Sequence, residues 1–288
     1  MAVQRRNRPL RQWHQGGDEV TLTSYPNVEQ RSDEWFNQRR GLVTASVVGS
    51  LISIGRQTAA DFDCPECAAA VAFPCIGKRG GELKQMHTER ADYARKNGKL
   101  VIEPASNTES LATTERLVAE RITGYTEQTP LSDAMWRGVT DEPLARAFYA
   151  EHHAPVNEVG FMVEDRWGFR IGYSPDGLVG DVGLIEVKSR NQRLQLRAVL
   201  DGTVPTEHMA QLQTGLLVSG RQWIDYISWS GGMKFWVKRV YPQRDWFIAI
   251  VKAVAKFEQA APELMRQYDE ATEGLPMTER RVDEEMVV

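Results

Sequence analysis

The stretch 171–188, Ile-Gly-Tyr-Ser-Pro-Asp-Gly-Leu-Val-Gly-Asp-Val-Gly-Leu-Ile-Glu-Val-Lys, constrains the fold more than any other. A Pro-Asp-Gly turn presents Asp176, and ten residues later an apolar run carries Glu186 and Lys188. Side chains alternate along a strand with period two, so Glu186 and Lys188 share one face while Leu184, Ile185 and Val187 supply strand propensity and packing. A chain that turns at Asp176 and returns through this strand gathers two carboxylates and an ammonium at one spot. Such a set can hold a divalent metal and position a water for attack, so the pattern reads as that of an enzyme. The other reading is a turn aspartate with an exposed strand pair.

The rest of the chain can support such a site. At 288 residues it can bury a sizeable core, with one large domain plus additions as the first expectation. The net charge of −4 argues against a uniformly basic coat for nucleic acid, although a basic channel can coexist with an acidic exterior. No apolar run approaches the ~18 residues of a membrane span, and no apolar segment follows the basic N-terminus. A soluble, cytoplasmic protein with no membrane partner is expected.

All three cysteines lie close together, as Cys64, Cys67 and Cys75 in the spacing C-x2-C-x7-C, and His87 follows twelve positions later. An odd count suits metal ligation better than disulfides. Thiolates and an imidazole match tetrahedral Zn²⁺, which would be structural here because so short a segment has little core of its own. Three clustered free cysteines, with His87 on a helix surface, are the other reading. The segment also resembles the short zinc ribbons of actinobacterial and phage proteins, CPxC…PC…H followed by a basic helix. That resemblance makes Cys64, Cys67, Cys75 and His87 the four ligands.

Taken in order, residues 1–30 read as a basic flexible arm, with Arg5, Arg6, Arg8 and Arg11 either solvated or touching phosphate. Ser32 opens a short helix that Gly41 closes. The next segment, from Leu42, suggests a second short helix capped by Thr44 or Ser46, near which Arg39 could form a phosphate pocket. On composition alone, a cap beside a surface arginine is the preferred reading. Residues 108–124 predict a packing helix, and a second helix is expected to begin near Thr140 or Asp141, with Pro143 in its first turn and Leu144, Ala147 and Phe148 on one face. Glu142 would then complement the helix dipole. Residues 156–189 read as an antiparallel meander, 206–220 as a helix carrying Gln211, then a hairpin, a long closing helix and a polar tail.

The resulting order, helix with Glu142, three strands, helix with Gln211 and a further strand, resembles the PD-(D/E)xK nuclease fold, an α/β (α+β) core with a mixed sheet flanked by helices. Pro175-Asp176 and Glu186-Val187-Lys188 spell its motif. Arg39, Gly41, Thr44, Ala45 and Ser46 resemble the R-x-G-x-x-T-A-S element of the lambda-exonuclease or YqaJ-type viral recombinases. Gly138, Glu142, Ala145 and Tyr149 are similar to that family's G…E…A…Y helix, Ser174 to Gly177 to its S-P-D-G turn, and Gln211 with Gln213 to its Q-x-Q helix. His208 stands where the family usually has tyrosine. The core would comprise residues 31–57 and 106–270, the zinc-ribbon-like insertion 58–105, and the polar C-terminal tail 271–288.

The resemblance implies a 5′-to-3′ exonuclease on double-stranded DNA that leaves 3′ single strands for an annealing protein. It implies Mg²⁺ or Mn²⁺ held by Asp176, Glu186, Glu142 and the Val187 carbonyl. Lys188 would orient or deprotonate the attacking water, Gln211 would steady it, and Arg39 with Ser46 would hold the 5′-terminal phosphate. It further implies a homo-oligomer, a trimeric ring, and a phage enzyme working in the bacterial cytoplasm. Two alternatives are a nuclease of this fold with other polarity or endonucleolytic action, Cas4-like or restriction-type, and a non-catalytic zinc-dependent DNA-binding module. In the zinc segment, Lys78, Arg79, Arg90, Arg95 and Lys96 are candidates for DNA contact.

Overall fold

The structure, a computed structural model, describes residues 22–127 and 130–280. At its centre is a four-stranded mixed sheet of β6 (Gly177–Val179), β7 (Gly183–Ser189), β8 (Trp223–Trp229) and β9 (Trp236–Val240), in that order. Only β7 and β8 run parallel. A parallel pair needs a crossover, and α5 (Gln192–Asp201) with α6 (Thr206–Ser219) supplies it. The sheet is covered on both sides, which explains why its strands are apolar on alternate and intervening positions. Ile185, Val187 and Ile227 pack with Ala145 and Tyr149 of α4 (Asp133–His152). Leu184, Ile224 and Tyr226 join the main core with α6 and α7 (Arg244–Ala271).

A second sheet, in the order β1-β4-β5, is built from β1 (Leu22–Tyr25), β4 (Phe161–Glu164) and β5 (Ile171–Tyr173), all antiparallel. The expected meander is therefore divided: β4 and β5 form a hairpin in one sheet, β6 and β7 pair in the other, and Ser174-Pro175-Asp176 crosses between them. The cysteine segment leaves the core through β2 (Ile52–Arg56) and returns through β3 (Leu100–Pro104), which pair antiparallel along their whole length. Between them lies α2 (Thr88–Asn97), and β3 packs on α7.

Several expectations are corrected. Residues 1–30 are not an arm throughout, because Leu22–Tyr25 pair with Glu164–Phe161 as an edge strand. Leu-Thr-Ser-Tyr has the β propensity to extend a sheet, and half-buries Leu22 and Tyr25 in doing so. Arg5, Arg6, Arg8 and Arg11 lie outside the described residues. The segment after Leu42 is not an α-helix: Thr44 bridges to Gly172, a 3₁₀ turn spans Val48–Leu51, and β2 follows. Its β-branched content, Val43, Thr44, Val47, Val48, Ile52 and Ile54, explains the outcome. The helix carrying Glu142 starts earlier than expected, capped by Ser132, whose hydroxyl accepts from the Met135 N–H at 3.3 Å. Glu142 is thus in mid-helix, and Pro143 lies inside α4 rather than in its first turn. The buried face is also displaced: Leu144 is exposed, while Ala145 and Tyr149 are buried. α5 was not anticipated.

Helix α1 (Asp33–Arg39) and α3 (Thr108–Thr123) hold the segment that precedes Thr44. Ser32 caps α1 by accepting from the Trp35 N–H at 3.3 Å. At Gly41 the backbone turns left-handed, with φ +62°, and a Cβ there would collide with Arg121 Cγ. The Gly41 N–H donates to buried Glu120 at 2.7 Å, and Arg121 Nε donates to the Gly41 carbonyl at 2.7 Å. Arg121 is itself held by a two-pronged ion pair with Glu258 of α7, at 2.9 and 2.7 Å. Replacing Gly41 by alanine forces a side chain into this clamp. Gly41→Ala is expected to lose stability by roughly 1–2 kcal/mol from the left-handed backbone alone, and chemical denaturation that gives the wild-type midpoint would contradict the account.

Candidate active site

The turn between the sheets and the edge of β7 are joined by one bond. Asp176 Oδ2 accepts from the Val187 N–H at 2.7 Å. In a strand the N–H and C=O of one residue point to the same side, so the Val187 carbonyl also faces Asp176, away from β8. β6 pairs with β7 only as far as Ile185, which leaves that edge open for Asp176. From the adjacent face, Lys188 Nζ donates to Glu186 Oε1 at 2.8 Å and to Gln211 Oε1 at 2.9 Å, while Gln211 Nε2 donates to the same Glu186 oxygen at 2.5 Å. Asp176, Glu186, Lys188 and Gln211 are brought together as the sequence predicted.

Glu142 approaches from α4, lining with Pro175 and Asp176 a cleft of about 450 Å³. α4 is fixed at two points. Ser189 at the end of β7 donates to Asp141 at 2.5 Å and accepts from Arg137 Nε at 3.1 Å. Farther on, the Tyr149 hydroxyl donates to Asp225 at 2.7 Å, and Asp225 is also gripped by Arg239 at 2.8 Å. Glu142 accepts from Arg146 Nη2 at 2.5 Å, a contact one helical turn away.

The electrostatics of this cluster call for a cation. Burial holds Asp176 well above the usual carboxylate range, and the charges of Glu186 and Glu142 add to that. Glu186, only 1 % exposed, is raised by burial despite the opposing charge of Lys188. Glu186 Oε2 is buried without a hydrogen-bond partner, and so is the hydroxyl of Tyr173. Burial, followed by the charges of Glu186 and Asp176, raises that phenol. A buried carboxylate oxygen with no donor is costly unless an ion or water completes it. Three carboxylates and the Val187 carbonyl form the all-oxygen set that suits Mg²⁺ or Mn²⁺, so the residues fit such an ion.

The Arg39 site adjoins this one through Ser174. Arg39 Nη1 donates to Ser174 Oγ at 3.0 Å, and Nη2 to Thr44 Oγ1 at 3.2 Å and Ser46 Oγ at 2.9 Å. The guanidinium lies 4.0 Å from the Trp35 ring centroid, and Trp35 Nε1 donates to the same Ser174 hydroxyl at 2.9 Å. Burial lowers Arg39 to about 10, partly offset by Glu120, so it stays charged at neutral pH. Thr44 is buried and Ser46 exposed, which leaves the Ser46 side of the group open to solvent. Arg39 and Ser46 are therefore together, and Trp35 and Ser174, the latter expected only as part of a turn, belong to the same cluster. Gln213, matched as part of a motif, is buried and structural. It donates to the Tyr241 carbonyl and accepts from the Gln243 N–H, at 2.9 and 2.8 Å.

In the insertion, the ligand atoms of Cys64, Cys67, Cys75 and His87 all lie within 4.8 Å of one another. His87 Nδ1 is 3.4 Å from Cys64 Sγ. The Ile76 N–H, donating to Cys67 Sγ at 3.4 Å, leads the causes that bring Cys67 down to about 6. Four convergent sulfur and nitrogen donors fit structural Zn²⁺. Arg90, a candidate for DNA contact, is instead completely buried. It donates to the carbonyls of Phe62, Phe73 and Ala70 at 2.7, 2.7 and 2.9 Å, and reaches Cys75 Sγ at 3.6 Å. Arg90 thus ties the loops of the knuckle together, with the Cys75 sulfur as a further acceptor.

Fold and clusters together define a mixed α/β domain of nuclease type with a Cys₃His insertion. Residues 99–222 match the family described as "YqaJ-like viral recombinase domain", and residues 29–107 match "Putative DNA-binding phage zinc finger domain". Over those residues the chain is similar to a viral recombinase domain and to a phage zinc-finger domain. Among solved structures it is similar to an alkaline exonuclease, LHK-Exo, from Laribacter hongkongensis, at 26 % identity and a TM-score of 0.58, covering 85 % of this chain and 100 % of that one. A second structure of LHK-Exo, in complex with dAMP, matches at 25 % identity and a TM-score of 0.58, with the same coverage of 85 % and 100 %. No curated protein matches the chain.

The purified protein is expected to contain one zinc per chain by elemental analysis. Cys64→Ser should lose that metal and melt at lower temperature, since Zn²⁺ binding in small modules contributes about 10–16 kcal/mol of folding free energy. A metal-free wild-type protein with an unchanged melting profile after chelation would refute the assignment.

Proposed function

We propose that this protein is a Mg²⁺-dependent 5′-to-3′ exonuclease on double-stranded DNA, a phage-type recombination enzyme. The continuity of the two clusters carries this reading. Ser174 binds Arg39, and two residues later Asp176 binds the edge of β7, so a terminal phosphate held at Arg39 would sit beside the carboxylates. An enzyme that anchors a 5′ end next to its hydrolytic centre removes residues from that end instead of cutting internally. The similarity to an alkaline exonuclease supports the reaction class, and the dAMP complex of that enzyme supports a deoxynucleotide ligand.

Asp176, Glu186, Glu142 and the Val187 carbonyl would hold the metal. When bound, Mg²⁺ or Mn²⁺ supplies charge stabilisation at the phosphoryl oxygen and a more acidic water. Lys188, which burial alone would lower but the charges of Glu186 and Asp176 raise, would orient the attacking water as an ammonium donor. Gln211 and Glu186 hold Nζ in place, and the mid-helix position of Glu142 lets it reach the cleft from the opposite wall. Arg39, kept charged and braced by Trp35, binds the 5′-phosphate with Ser46, since a planar guanidinium suits phosphate oxygens. The product would carry 3′ single strands for an annealing protein. A homotrimeric ring around DNA and a site of action in the bacterial cytoplasm complete the proposal.

Duplex DNA labelled at either end, with and without a 5′ phosphate, tests polarity and end recognition together. Mg²⁺-dependent loss from the 5′-phosphorylated end is expected. Release from the 3′ end, or internal fragments, would favour a nuclease of other action. Lys188→Ala should lower the rate roughly 10²–10⁴-fold, and a fully active Lys188→Ala protein would defeat the mechanism. Arg39→Ala should erase the preference for a 5′-phosphorylated end over a 5′-hydroxyl one, read as the ratio of the two rates.

A further inference from the structure

The alternation that places Glu186 and Lys188 on one face continues past the end of β7. The Arg190 N–H donates to the Trp229 carbonyl at 2.7 Å, one further rung beside β8. Arg190 therefore leaves the strand on the side of Glu186 and Lys188, toward α6. There α6 presents two side chains three residues apart, Gln211 to Lys188 and His208 to Arg190. Arg190 Nη2 donates to His208 Nε2 at 2.8 Å and to the Tyr226 hydroxyl at 2.9 Å, and the His208 and Tyr226 rings stack with centroids 5.6 Å apart. Burial and the charges of Lys188 and Arg190 push His208 down to about 3, so its Nε2 meets Arg190 as a neutral acceptor.

This guanidinium lacks what a buried cation needs. Its side chain is 10 % exposed, and the neighbouring carboxylate, Glu207, is 3.8 Å away and itself 65 % exposed. Its Nε is buried with no hydrogen-bond partner. Both acceptors it does have are neutral, so they orient the group without balancing its charge. A guanidinium 10 % exposed, oriented by two neutral acceptors and paired with a solvent-exposed carboxylate at 3.8 Å, is suited to a further oxyanion.

We propose that Arg190 binds a backbone phosphate of the strand being degraded, through a non-bridging oxygen, and that His208 and Tyr226 are positioning residues that aim its fork. The proposal rests on the reading of Asp176, Glu186 and Lys188 as a phosphodiester-cleaving centre. It also gives His208 a role, since its imidazole acceptor fixes the arginine.

The test uses the full chain and 5′-phosphorylated duplex DNA. Binding is measured with Ca²⁺ in place of Mg²⁺ as a function of salt, cleavage with Mg²⁺, and folding by thermal melting. Arg190→Gln should flatten the slope of log affinity against log salt by about 0.9, the contribution of one phosphate contact. It should also lower kcat/KM roughly 10–100-fold, as for loss of a hydrogen bond to a charged group. Arg190→Lys, which keeps the charge without the fork, should retain the slope and still lose rate. A folded Arg190→Gln protein with the wild-type slope and kcat/KM overturns the proposal. If that variant does not fold, a wild-type rate in Arg190→Lys overturns it. Wild-type protein that cleaves no duplex DNA overturns the underlying reading along with it, whereas an active wild type with an indifferent Arg190 overturns the proposal alone.

Discussion

The hydrogen bond from the Val187 N–H to Asp176 governs the geometry of the whole site. It joins a turn that leaves one sheet to the edge of a strand in another, across eleven positions of sequence. Because β6 stops pairing at Ile185, the next open rung of β7 is satisfied by a carboxylate instead of a strand. The same bond orients the Val187 carbonyl beside Asp176. One main-chain group thus fixes the relative positions of a side-chain oxygen, a carbonyl oxygen and, through period two, Glu186 and Lys188 on the neighbouring face.

The Arg39 cluster depends on a different kind of support. Its residues come from α1, the turn after it and the crossing segment at Ser174, none of which could hold a charged side chain rigidly alone. Rigidity comes from behind, where Glu120 and Arg121 of α3 grip both main-chain groups of Gly41 and Glu258 of α7 grips Arg121. Thr44 is tied to β5 by the bonds between Gly172 and its neighbours, Ala45 N–H to the Gly172 carbonyl at 2.8 Å and Gly172 N–H to the Val43 carbonyl at 3.0 Å. A phosphate pocket on a short helix is in this way referred to the main core.

What was legible in the sequence followed the strength of local signals. The Pro-Asp-Gly turn, the apolar run holding Glu186 and Lys188, and the Cys spacing each encode their own geometry, and their residues are found together. The Ser32 cap and the turn at Gly41 were legible for the same reason. The errors lie where tertiary contacts decide. The segment after Leu42 offered Thr44 or Ser46 as a helix cap, yet Gly172 gave Thr44 and Ala45 a strand partner. Pro143 suggested a helix start, because proline favours first turns, but the packing of Tyr149 on Asp225 and the link from Asp141 to Ser189 secure a helix on both sides of it. Arg90 looked like one of several basic surface residues, and only the folded knuckle reveals three carbonyls facing it. Arg190 carried no motif at all, although the period-two count from Glu186 would have placed it on the same face.

The antiparallel ribbon of β2 and β3 has a bearing on how the chain assembles. Its register joins Ile52 to Pro104 and Arg56 to Leu100, so the whole cysteine segment is one long loop between paired strands. Pairing at such separation is slow, because loop-closure entropy must be met before the strands reward it. Four ligands spread from Cys64 to His87, if drawn to one ion, would leave residues 57–63 and 88–99 between the strands and the site. A metal bound there would bring the two strands into reach so that β3 can settle on α7. On this view the insertion contributes to the rate at which the core closes, as well as to what the finished surface presents.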